Sequence, residues 1–227
     1  MFFYDWTYLL MIPGLLLGIW AQAKVNGAYQ KYSRVMSRSG ITAAEAAHRL
    51  LRQNGNTRVN VEKVAGQLTD HYDPRSETLR LSDGVYHSSS LAALGIAAHE
   101  AGHAMQKFED YAPMRLRNAI VPVVQIGSRL YMPLFIMGLI FSWEPLLNVG
   151  IIAFALTLIF SLITLPVEFD ASRRGVKMLL SGGFITSQEE PQVKSVLSAA
   201  AMTYVAAAAS SILQLLRLVL LVRRHDD

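Results

Sequence analysis

Four long apolar runs limit this 227-residue chain more than any other feature. About 20 consecutive apolar residues form a membrane-crossing helix more readily than any soluble element. The first run covers residues 6–23, "WTYLLMIPGLLLGIWAQA". Ala21-Gln22-Ala23 resembles a signal-peptidase site, but the preceding "MFFYD" has no positive charge, so the run reads as an uncleaved anchor. The second run, 119–141, holds Gln125 and Arg129 and so is not a plain lipid-facing helix. The third, 146–166, is the cleanest, and the short "SWEP" before it implies a tight helical hairpin. The fourth, 198–222, is alanine-rich and then leucine-rich, with Gln214 and Arg217 inside it. Its small residues suit close helix packing, with a partly interfacial course as the alternative.

Charge sets the expected orientation. Lys24, Lys31, Arg34 and Arg38 follow the first run, and Arg115 and Arg117 precede the second. Arg173, Arg174, Lys177 and Lys194 lie between the third and fourth, while "SWEP" has no cation. The positive-inside rule then puts the N-terminus outside and both large loops in the cytoplasm. The tail "RRHDD" breaks the rule mildly. The predicted architecture is a mainly α, multi-pass plasma-membrane protein with four transmembrane helices and a small α+β domain containing a short sheet or hairpin. Its parts are an anchor (1–23), a cytoplasmic region (24–118), a helical hairpin (119–166), a helix and loop (167–197), and a last span with its tail (198–227). The net charge of +4 is scattered between apolar runs, which suits membrane flanks and not a nucleic-acid face. The absence of cysteine excludes disulfides and thiolate metal sites, leaving His, Asp and Glu as ligands.

Within 24–118, "ITAAEAAHRLLRQNG" reads as a helix with Thr42 as N-cap, Glu45 at the capping-box position and Gly55 closing it. Residues 59–86 have strand character, with a turn at Asp73-Pro74. Leu79 and Leu81 alternate with Thr78, Arg80 and Ser82 as in a half-buried strand. "TDHYDPRSETLRLS" is either an edge strand able to add a peptide by β-augmentation or a plain hairpin. "SSS" at 88–90 caps a helix starting near Leu91.

That helix carries "AAHEAGHAMQ". Residues four apart share a helical face, so His99 and His103 can offer two imidazoles to one cation. Glu100 is rotated away from both and can take a proton from a water on the open side. Ala98, Ala101 and Gly102 allow close approach of another backbone. A third His at metzincin spacing is excluded, because Gln106 and Glu109 stand where Gly and His would be needed. Glu168 in "LPVEFDASRRG" is the better third ligand. Pro166 is expected to end the third run, so that Glu168 opens a new helix at the membrane surface. A carboxylate favoured at a helix N-terminus is the plain alternative.

"HEAGHAMQ", "LTDHYDPRSETLRLSD" and "LPVEFDASRRG" resemble the YugP-type membrane zinc metallopeptidases over nearly the whole chain. More distantly, the pattern is similar to HtpX and the CAAX prenyl endopeptidases, which are gluzincins. The resemblance implies that 24–118 is a zincin-like catalytic region, with one Zn²⁺ held by His99, His103 and Glu168 and with Glu100 as general base. Ser172 stands where the distant relatives carry an Asp expected to orient a ligand histidine, and Asp170 and Ser172 are the candidates for that role here. Oxyanion candidates are His71, Tyr72, His87, Tyr204, Arg173 and Arg174.

The expected function is a membrane-embedded zinc endopeptidase acting on unfolded or membrane proteins, with a polypeptide substrate and membrane lipid as partners and no nucleic acid. The residues leave open a homo-oligomer and a regulatory membrane partner. A site-2-type intramembrane protease is disfavoured, since Asp83-Gly84, its one D-G, lies in the polar region. A catalytically silent zinc scaffold or chaperone has no need of Glu100. A transporter would draw on Gln125, Arg129 and Arg217.

Overall fold

The computed structural model describes residues 6–226, with side chains to 223. The start "MFFYD", used in the anchor reading, and the last residue of the tail, used in the orientation reading, lie outside the described residues. After a 3₁₀ stretch (Trp6–Leu10) come α1 (Met11–Tyr32), α2 (Ala43–Gln53), β1 (Asn60–Val64), β2 (His71–Asp73), β3 (Thr78–Ser82) and α3 (Asp83–Tyr86). Then follow α4 (Leu91–Phe108), α5 (Ala112–Ile140), α6 (Glu144–Ser181) and α7 (Glu190–Asp226). The protein is mainly α with a small α+β part. Among the described residues, four helical segments are long and apolar enough to cross a membrane: Trp6–Tyr32, Ala112–Ile140, Glu144–Ser181 and Glu190–Arg223.

The chain divides into two compact units. The first comprises the segment up to Ala21, Leu116–Leu165, and the chain from Thr203 onward. Its apolar cluster is Phe135, Leu147, Phe154, Leu218 and Val222. Glycines bring α5 and α6 together: a Cβ on Gly138 would lie 2.8 Å from the Leu147 backbone nitrogen, and one on Gly150 would lie 3.1 Å from that of Phe135. Helix association in lipid depends on such close packing. Buried Arg217 stacks over the Tyr8 ring at 3.8 Å. Gln125 and Arg129 are exposed on the outside of α5. The polar residues a transporter would use therefore do not gather along one internal path.

The second unit is Gln22–Arg115 with Pro166–Met202. Its sheet has the order β1-β3-β2, with β1 parallel and β2 antiparallel to β3. β3 is central, and Thr78, Leu79, Leu81 and Ser82 are all buried. The edges are thus β1 and the short β2. This corrects the reading of 78–82 as a half-buried strand, since Thr78 and Ser82 are buried along with Leu79 and Leu81; paired on both sides, β3 has no ladder groups left for a peptide, while β2, from the same stretch, is an edge. Asp73 organises the β2–β3 turn by accepting from the Arg75 amide (2.9 Å) and the Ser76 hydroxyl (2.7 Å). Those hydrogen bonds hold its carboxyl down at about 2.

Helix α2 starts as the sequence indicates, with Thr42 Oγ1 accepting from the Glu45 amide at 3.3 Å, and Gly55 has a φ of 82° just past its end. Glu45 does not close the capping box; its carboxylate pairs with Arg49 one turn on. Ser90 caps α4 by accepting from the Ala93 amide at 3.2 Å. All but four of the 18 residues of α4 are buried, which makes it the central helix of the unit. Lys107 at its C-terminal end donates to the Pro74 carbonyl and pairs with Glu77, tying the sheet's turn to the helix.

One expected boundary is corrected. Pro166 lies inside α6, which runs unbroken from Glu144 to Ser181. Glu168 is therefore mid-helix, and the helix-N-terminus explanation for its carboxylate falls away. A proline forfeits one helical hydrogen bond, but unwinding beside an apolar span would strand several more backbone groups, so the helix continues through it.

Candidate active site

The site starts from a contact between two backbones. A Cβ on Gly102 of α4 would lie 2.3 Å from the Ala171 carbonyl oxygen of α6. A Cβ on Gly175 of α6 would lie 2.6 Å from the Ala98 carbonyl oxygen of α4. Each helix needs a glycine where the other crosses it. Gly102→Ala is expected to force the helices apart and to cost about 1–3 kcal/mol or more, the usual penalty of overpacking. Thermal melting of the purified variant in detergent checks this.

The crossing brings Glu168 against the two histidines. Its Oε2 lies 3.3 Å from His99 Nε2 and 3.4 Å from His103 Nε2. The three ligand atoms lie within 4.8 Å of one another. Glu168 is 2% exposed and His103 8%. The edge of a tetrahedron with bonds of ~2.1 Å is about 3.4 Å, so the Glu168–His spacings fit a zinc-sized cation between the three residues. Burial alone would push the His103 imidazolium down, but the facing carboxylates of Glu168 and Glu100 outweigh it and hold it up. The site thus favours positive charge at its centre.

The far sides of both rings are fixed as well. His99 Nδ1 lies 3.0 Å from Ser172 Oγ on α6. His103 Nδ1 lies 3.0 Å from Gln106 Oε1. Gln106 Nε2 donates to the Val167 carbonyl (2.8 Å) and to Asp170 Oδ2 (3.0 Å). With two acceptors on its nitrogen, the Gln106 amide must turn its oxygen to His103. His103 Nδ1 then carries the proton, and the Nε2 lone pair faces Glu168. Asp170 is held in turn by Arg173 and Arg174, and Arg174 also pairs with Glu109, just past the end of α4. Asp170 and Ser172 are therefore both joined to the histidines by hydrogen bonds. Ser172 acts on His99 directly, and Asp170 reaches His103 through Gln106. Sequence reasoning missed Gln106. The available signal was its position three residues after His103, on a neighbouring helical face.

Glu100 is buried beside the cluster. Burial pushes the nearby Asp70 carboxyl up, and the Glu100 charge adds to that rise against the lowering by Ser82. Asp70 accepts from the Ser82 amide at 2.7 Å and from its hydroxyl at 2.9 Å, at the start of β2. The base candidate thus lies near the end of the sheet.

Residues 7–223 match the family described as "Putative neutral zinc metallopeptidase". The chain belongs to that family. It is also 48% identical over 218 residues to a Bacillus subtilis (strain 168) protein named "Putative membrane protease YugP", covering 96% of this chain and 97% of that relative. No solved structure matches the chain.

The oxyanion candidates occupy different settings. Arg174 is committed to Asp170 and Glu109 and lies over the Tyr111 ring, its guanidinium carbon 5.4 Å from the centroid. Arg173 pairs with Asp170, and its side chain is 77% exposed. His71 is exposed on β2, its Nδ1 2.8 Å from the Thr69 carbonyl oxygen. Tyr72 packs against the core, and burial pushes its hydroxyl up to about 12. His87 ends α3, its ring edge-on to Tyr86. Tyr204 lies on the part of α7 belonging to the first unit.

Proposed function

We propose that this metallopeptidase is a membrane-embedded zinc endopeptidase that cuts unfolded or membrane-protein segments, with its site at the cytoplasmic face of the plasma membrane. The observation that carries the reading is the convergence of His99, His103 and Glu168 with Glu100 buried alongside. The Lys and Arg residues flanking the spans support the orientation.

In this mechanism His99 and His103 offer their Nε2 atoms and Glu168 a carboxylate oxygen to one Zn²⁺. Bound there, Zn²⁺ would supply Lewis acidity to a water and to the scissile carbonyl. Glu100 takes the proton of the attacking water and hands it to the departing amine. Ser172 and Gln106 keep both imidazoles turned toward the cation, and Asp170 strengthens the Gln106 hydrogen bond from behind. Gln106→Leu removes the acceptor for His103 Nδ1. Such orienting partners are worth about 10–100-fold in metal affinity, and the variant is expected to lose that much in a zinc competition titration while keeping its fold.

The test is degradation of an unfolded protein by the detergent-purified enzyme. Activity is expected to vanish on chelation and to return on adding back Zn²⁺. Cleavage indifferent to chelation would end the zinc reading. Bound zinc without cleavage of any unfolded protein would favour the silent scaffold.

A further inference from the structure

A groove of about 450 Å³ lies within the second unit, between α6 and the start of α7. Phe169, Val176 and Leu180 form one wall and Leu197 and Ala201 the other. Arg173, Lys177 and Lys194 stand around it, against the single acid Glu190. Arg173 and Lys194 are partly neutralised by Asp170 and Glu190. Lys177 is exposed and has no ion pair among the described residues. The two walls adjoin apolar runs: residues 146–166 precede Phe169 on α6, and residues 202–222 follow Ala201 on α7.

We propose that this groove is a binding site for one anionic phospholipid. The apolar walls take an acyl chain, and Lys177, with Arg173 and Lys194, takes the phosphate. Charge complementarity selects this occupant. A net-positive rim beside the end of a span is the arrangement that holds anionic headgroups, and each cation near such a surface strengthens binding about fivefold. A neutral lipid would leave Lys177 without a counterion. An apolar peptide segment would use the walls but not the cations. Ser172 lines the groove and also bonds His99, so the occupant lies against the residue that orients a site histidine. The lipid reading does not depend on catalysis, because it is read by binding alone.

The experiment is native mass spectrometry of the full chain in detergent, titrated with phosphatidylglycerol or with phosphatidylcholine of the same acyl chains. Wild type is expected to retain one phosphatidylglycerol at least about fivefold more strongly than phosphatidylcholine. Lys177→Gln changes an exposed side chain and should remove about fivefold of that preference. Ser198→Trp fills the groove from an exposed position and should abolish retention of both lipids. Lys24→Gln, a cation elsewhere on the chain, should change nothing. Equal retention of the two lipids by wild type would overturn the proposal, as would unchanged phosphatidylglycerol binding in both groove variants. Loss of peptide cleavage in Ser198→Trp with lipid binding intact would assign the groove to substrate and overturn it as well.

Discussion

Glu100→Gln is expected to lower kcat by about 10²–10⁴-fold, the range that a positioned general base supplies. The change is nearly isosteric and keeps the side chain in its buried place beside the cluster. It removes a basic oxygen and leaves His99, His103 and Glu168 untouched, so zinc content should stay at the wild-type value. The two readouts together carry the meaning. Lost activity with retained zinc assigns Glu100 to the proton. Activity lost in step with zinc would make Glu100 a ligand or a support for one. Equal activity would remove it from the chemistry.

The second large effect belongs to Glu168→Ala. Orienting partners of metal ligands are already worth about 10–100-fold in affinity, so loss of a ligand should exceed that range. Without the carboxylate, both Nε2 atoms also lose the oxygen now 3.3 and 3.4 Å away. Zinc competition titration should show affinity reduced by more than about a hundredfold, and cleavage should fall with it. Glu109→Ala is the control. Glu109 is a carboxylate of the same unit that pairs with Arg174 at the surface, its side chain 49% exposed. Its removal should change zinc affinity little, because exposed ion pairs contribute little.

These expectations rest on features of unequal visibility in the sequence. The α4 helix could be read locally: Ser90 announces its start, and the spacing of His99 and His103 fixes their common face. The four apolar segments were visible because about 20 apolar residues have few other fates. Glu168 could be named as a candidate, but its approach to the histidines depends on Gly102 and Gly175 lying where two helices cross. No local pattern announces a crossing between helices so far apart along the chain. The same contact hides Gln106, whose amide gains its function only from Val167 and Asp170 on α6. Pro166 misled because proline is a reliable helix terminator in water and a weaker one beside an apolar span. The central place of β3 was likewise hidden, since its parallel partner β1 is set by tertiary packing and not by a hairpin turn.

The most direct measurement is zinc-edge X-ray absorption of the purified wild-type chain, with metal content determined on the same sample. The coordination proposed for His99, His103 and Glu168 predicts one zinc per chain, two imidazole ligands, and oxygen in the remaining positions. A third imidazole, or zinc far below one per chain after loading, would contradict it.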